Sequence, residues 1–122
     1  MLTWPQTVRI FVCVEPTDMR RGFDRLAATA AAVTGQDPLG GYLFVFFNRR
    51  RNRVKILCWD KSGYCLWYKR LEAGTFHLVQ DGKAAMEWDR TQLTLILEGI
   101  DLSGSKQRKR FSLSRQALPP TG

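Results

Sequence analysis

Apolar residues cluster into three runs of strand length that follow one another across residues 42–71, YLFVFFNRRRNRVKILCWDKSGYCLWYKRL. Residues 42–47 are aromatic or branched throughout. Residues 54–59 interleave Val54, Ile56 and Cys58 with Lys55, Leu57 and Trp59, and residues 64–71 interleave Leu66 and Tyr68 with Trp67 and Lys69. Such residues suit a pleated, half-buried surface. Asn48 and Asn52 flank Arg49, Arg50 and Arg51, and asparagine tolerates the left-handed backbone of a hairpin tip. Asp60-Lys61-Ser62-Gly63 places Asp first and Gly fourth, which predicts a type I turn. The three runs therefore read as an antiparallel meander.

Residues 7–15, TVRIFVCVE, predict an earlier strand. Val8, Ile10, Val12 and Val14 share one side, while Phe11 and Cys13 make the other apolar, so the strand is expected inside the sheet. Pro16 ends it, and Thr17 or Asp18 can cap a helix by accepting a free first-turn amide. Met19, Phe23, Leu26, Ala27, Ala30 and Val33 recur at three- and four-residue steps, one face of a helix over residues 20–33 that Gly35 stops. Beyond the meander come a short apolar run, residues 76–79, and a looser segment at Asp81-Gly82. Thr91 then caps a short helix over residues 91–98, with Leu93, Ile96, Leu97 and Ile100 as its core face and Gly99 near its end. From Ser103 the chain turns polar and basic and closes on Pro119-Pro120, the composition of a flexible tail. The expected fold is α+β: a mostly antiparallel sheet of four to five strands packed on one main helix, with a short C-terminal helix. Residues 1–102 form the domain and 103–122 the basic tail.

Composition narrows the function. At 122 residues, 44% hydrophobic and 11% aromatic, the chain suits one folded domain with a modest core. No apolar run approaches the roughly 18 residues of a membrane span, and MLTWPQTVRI has no signal-peptide pattern, so a cytoplasmic, membrane-free protein is expected. Cys13, Cys58 and Cys65 are odd in number and lie in strand-like runs, outside any CxxC pair. With His77 the only histidine, they read as buried reduced thiols, not zinc ligands. The net charge is +8 and the pI about 9.9. Five of those eight charges come from residues 102–122, where Lys106, Arg108, Lys109, Arg110 and Arg115 face no acid. This points to nucleic acid more than to a membrane surface, because the tail lacks an apolar helical face.

Catalysis finds little support. Divalent-metal phosphoryl chemistry needs converging carboxylates. Only Asp18, Asp60 and Glu72 sit in distinctive blocks, and each has a plainer role: helix cap, turn opener and strand-end partner of Lys69-Arg70. His77 has no nucleophile or carboxylate at readable spacing. Gly40-Gly41 lacks the lysine and helix of a phosphate loop, so no ATP or other cofactor is expected.

Binding is better supported. Arg49, Arg50, Arg51 and Arg53 crowd one hairpin tip with no acid beside them in sequence, and arginine forks match phosphate oxygens two at a time. Lys55, Lys69 and Arg70 on the meander, Arg20 and Arg21 before the helix, and Lys106, Arg108, Lys109 and Arg110 in the tail complete the candidate nucleic-acid-binding set. Trp59, Tyr64, Trp67 and Tyr68 lie among these bases. Exposed rings would stack the bases of a single strand, whereas buried rings would leave recognition electrostatic.

Several blocks occur together in order: Pro16-Thr17-Asp18-Met19-Arg20-Arg21-Gly22-Phe23-Asp24, then Leu43-Phe44-Val45-Phe46 with the arginine turn, then Val54-Lys55-Ile56-Leu57, Trp59-Asp60, Lys69-Arg70-Leu71-Glu72, Gly74 and Phe76, and Leu97-Glu98-Gly99-Ile100-Asp101. Over about residues 5–102 the chain resembles TnpB, the small Orf2-like accessory protein of IS66-type bacterial insertion sequences, which is unrelated to the RNA-guided nuclease of that name. The resemblance implies a non-catalytic part in transposition beside a separate transposase of the same element, and supplies no catalytic residue. It leaves three readings: DNA binding, duplex or single-stranded, through the basic hairpin and tail; a scaffold for the transposase that does not touch DNA; or, more remotely, a metal-dependent nuclease.

Overall fold

Seven elements follow one another in the computed structural model, which describes residues 7–78 and 82–99. They are β1 (Ile10–Cys13), α1 (Phe23–Thr34), β2 (Leu43–Phe47), β3 (Arg53–Asp60), β4 (Gly63–Arg70), β5 (Ala85–Trp88) and α2 (Arg90–Glu98). The five strands form one sheet in the order β4-β3-β2-β1-β5. The meander is present as read: β2 pairs with β3 and β3 with β4, both antiparallel. β1 lies inside the sheet, antiparallel to β5 but parallel to β2, with Ile10 opposite Leu43 and Cys13 opposite Phe46. A parallel neighbour requires a crossover, and α1 supplies it. The class is α+β and three of the four pairings are antiparallel.

Both sheet faces are covered, which explains the unbroken apolar character of β1 and β2. On one face Phe11, Cys13, Phe44, Phe46 and Leu57 pack against Leu26, Ala27 and Ala30 of α1. Small alanines let helix and sheet approach closely. On the other, Ile10, Val12, Leu43, Val45, Phe47, Val54 and Ile56 meet Phe76, Trp88 and the Leu93, Ile96 and Leu97 face of α2. Burial pushes the Cys13 thiol up to about 12, as expected of an inert core cysteine. Cys58 and Cys65, opposite each other on β3 and β4, are also free thiols, but Cys58 is only half-buried and Cys65 is exposed, so of the three cysteines expected in the core only Cys13 lies there.

Several expectations change in detail. α1 begins at Phe23 behind Gly22, whose position makes no side-chain capping bond, so neither Thr17 nor Asp18 is its cap. Asp18 instead accepts the Arg20 N–H at 2.9 Å, closing a local turn. Phe23, assigned by periodicity to the core face, is 48% exposed because it starts the helix beyond the sheet contact. The cap of α2 is Asp89, not Thr91: its carboxylate accepts the Gln92 N–H at 2.7 Å, and the Gln92 side chain accepts the Asp89 N–H at 2.9 Å. Gly35 and Gly99 close the two helices with left-handed backbone, as read. Lys61, at φ 51°, takes the left-handed position of a two-residue hairpin, so the β3–β4 turn is not type I. The looser segment after residue 81 contains β5. Ile100 and the tail from Ser103, with the domain boundary drawn there, lie outside the described residues.

Candidate nucleic-acid interface

The β2–β3 turn is built by asparagine, though not by asparagine in a left-handed conformation. Asn48 Oδ1 accepts the N–H groups of Asn52 at 3.0 Å and Arg53 at 2.9 Å, while its Nδ2 donates to Asn52 Oδ1 at 2.7 Å. These bonds reinforce the main-chain bond from the Asn48 N–H to the Arg53 carbonyl at 3.2 Å, and Arg51 takes the left-handed position at φ 57°. Neighbouring chain then fixes the turn: the Arg51 and Asn52 carbonyls accept N–H groups of Phe76 and Leu71, each at 2.7 Å. Arg49 and Arg50 stay exposed on this rigid support.

Residues 16–21 run alongside. The Thr17 N–H donates to the Phe47 carbonyl at 2.8 Å, anchoring the segment at the end of β2. Lys55, buried at 7% exposure, donates from Nζ to the Met19 carbonyl at 2.6 Å and the Arg21 carbonyl at 2.9 Å. Between segment and turn opens a depression of about 560 Å³ lined by Pro16, Thr17, Asp18, Met19, Arg21, Asn48, Arg49, Arg50 and Arg53.

Four arginines thus meet one carboxylate. Asp18 is engaged elsewhere: its oxygens lie 2.7 to 3.1 Å from the Arg20 guanidinium, which, with the Arg20 N–H, holds the carboxyl well below the usual range. Arg21 donates from Nη1 to Thr29 Oγ1 at 2.8 Å, while its buried Nε finds no acceptor among the described residues. Arg53 donates from Nη1 to the Tyr68 hydroxyl at 2.9 Å. It faces Arg70 across the strands, and the Arg70–Glu72 pair at 2.7 Å relieves the repulsion of like charges. The site is strongly cationic and pre-shaped.

The candidate set divides accordingly. Arg21, Arg49, Arg50 and Arg53 converge, and Arg51 supports the same turn. Lys55 leaves the set as a contact residue, because its ammonium is buried against two carbonyls. Lys69 extends to the opposite face, where it donates to the Leu97 carbonyl at 3.3 Å. Arg20 and Arg70 lie nearby but are paired with Asp18 and Glu72. Lys106, Arg108, Lys109 and Arg110 lie outside the described residues. Sequence reading missed Thr17 and Asn48 as lining of the depression, and it weighed Tyr68 only as one of four rings without singling it out. The alternation of β3 and β4 held a signal for Tyr68, since it places the ring opposite Lys55.

The three carboxylates weighed for metal chemistry do not come together. Asp60 sits at the turn of the β3–β4 hairpin and Glu72 just past its other end, and the paired run between Asp60–Gly63 and Arg53–Arg70 spans about 23 Å at about 3.3 Å per strand residue. Among the described residues no group of three or more His, Cys, Asp or Glu can hold a metal ion, and no helix is long and apolar enough to cross a membrane.

Residues 8–107 match the family model for the IS66 Orf2 like protein, the group also labelled TnpB of IS66. This chain belongs to the IS66 Orf2-like family. It is also 39% identical over 101 residues to "Uncharacterized protein y4hO" of Sinorhizobium fredii (strain NBRC 101917 / NGR234), covering 83% of this chain and 88% of that one. A second protein of that organism, "Uncharacterized protein y4jC", is 35% identical over 103 residues, covering 83% and 86%. No solved structure matches. Family membership places this Orf2-like protein among the accessory components of IS66 transposition.

Proposed function

We propose that this Orf2-like protein assists its element's transposase by gripping nucleic-acid backbone in the arginine depression. The observation that carries the reading is the convergence of Arg21, Arg49, Arg50 and Arg53 on one open hollow whose only carboxylate is tied to Arg20. Uncompensated like charges oppose folding, so a rigid turn that holds them together suits an anionic ligand, and guanidinium forks suit phosphate. Binding of this kind fixes position on a strand with little base reading.

The test is affinity for DNA over a salt series with the Arg49→Ala/Arg50→Ala variant. Each phosphate neutralised contributes about 0.9 to the log–log slope on duplex DNA, so two lost contacts flatten it by about two units. Both side chains are exposed and the turn is held by Asn48, so melting stays nearly unchanged. Equal slopes for the two folded proteins remove the backbone-gripping role. Transposition lost despite equal slopes makes the depression a transposase contact.

A further inference from the structure

Tyr68 is one of the three large hydrophobic side chains that the described residues leave exposed, at 46%, and two cationic side chains contact it. One face is covered by the Lys55 ammonium, 4.8 Å from the ring centroid. The hydroxyl accepts from Arg53 at 2.9 Å, which anchors the end of the side chain. Both partners belong to the arginine depression: Arg53 lines it, and Lys55 holds the Met19 and Arg21 carbonyls of its wall. The ring therefore stands one arginine side chain from the proposed phosphate site.

We propose that Tyr68 is a base-stacking platform and that the preferred ligand is single-stranded DNA, with a phosphate in the arginine depression and the adjoining base on Tyr68. The inference rests on the backbone-gripping reading and adds its substrate class. A duplex keeps its bases stacked on one another, so an aromatic face beside a phosphate site gains nothing from it. A single strand offers a π-face at every nucleotide, and stacking on an aromatic side chain is tolerant of sequence. A ring already held by Lys55 and Arg53 loses little freedom on contact, which favours binding.

The experiment compares a labelled thymidine oligonucleotide of about 12 residues with a duplex of mixed sequence, by fluorescence anisotropy at fixed salt. Tyr68→Leu keeps an apolar cover over Lys55 but removes the π-face. It is expected to weaken oligonucleotide binding by roughly 5- to 150-fold, leaving duplex affinity and the salt slope unchanged. Tyr68→Phe keeps the ring and stays within a few-fold of wild type. In the wild-type protein, the Tyr68 ring protons should shift upfield as the oligonucleotide is added, a readout independent of how well Tyr68→Leu folds. If Tyr68→Leu binds the oligonucleotide like wild type while Arg49→Ala/Arg50→Ala weakens it, the platform is overturned and the backbone grip stands. Equal losses on single strand and duplex, or ring protons that do not move, also overturn it. A wild-type protein that binds neither ligand overturns both readings.

Discussion

Lys55 is the residue on which the candidate site most depends, although it is no longer a contact candidate. Burying an ammonium is unfavourable unless its donors find acceptors. Here two carbonyls and the Tyr68 face provide them, and in return the segment before α1 is held against β3. Lys55→Met keeps the apolar stem and removes the ammonium. The expected loss is about 2 kcal/mol, the usual scale for hydrogen bonds to a charged group, read as a lower urea midpoint at unchanged m. DNA affinity should fall as well, because the wall carrying Arg21 loosens. A fully stable Lys55→Met protein would show that the carbonyls are equally well served by water. The exposed pairs Arg9–Glu87 and Arg70–Glu72 matter less, since surface ion pairs contribute about 0–1 kcal/mol.

Among the elements, the contrast between the helices is instructive. α1 has no side-chain cap and depends on packing Leu26, Ala27 and Ala30 against the sheet. α2 is shorter, carries a complete capping box at Asp89 and Gln92, and starts directly after β5, so its cap also sets where the edge strand ends. Asp89→Ala is therefore expected to cost about 1 kcal/mol in thermal or denaturant unfolding. Amide exchange should quicken first in α2 and β5, well before β2. Uniform acceleration across the sheet would contradict this order. The β2–β3 hairpin differs again: side-chain bonds from Asn48 build its tip, so its arginines are free to vary in charge without loss of shape.

For the whole molecule the decisive quantity is how charge is distributed. Of the net charge of +8, five positive charges lie after residue 101, and residues 1–101 net only +3 although the β2–β3 tip gathers four arginines. A run of positive charge with no acid in it attracts any phosphate backbone, which adds affinity without selectivity. Truncation after Leu102 should weaken duplex and single-stranded DNA by similar factors and flatten the salt slope, leaving melting unchanged. Salt-series binding and a melting curve check this; a loss confined to one DNA sequence would mean that the segment reads its target.

The β2–β4 meander, the buried β1, both glycine helix stops and the arginine tip were legible in the chain, because each depends on period-two or helical patterning and on residues close in sequence. Family membership was legible too, through ordered blocks over most of the chain. What the sequence alone left open was the parallel β1–β2 pairing, the place of β5, and the roles of Lys55, Lys69 and Tyr68. The physical reason is the same in each case. A strand's pattern states which side chains share a face, but the neighbour that covers the face comes from distant chain. Lys55 and Arg53 share one face of β3, yet only Met19 and Arg21, brought back by the start of α1, bury the first and leave the second lining the depression.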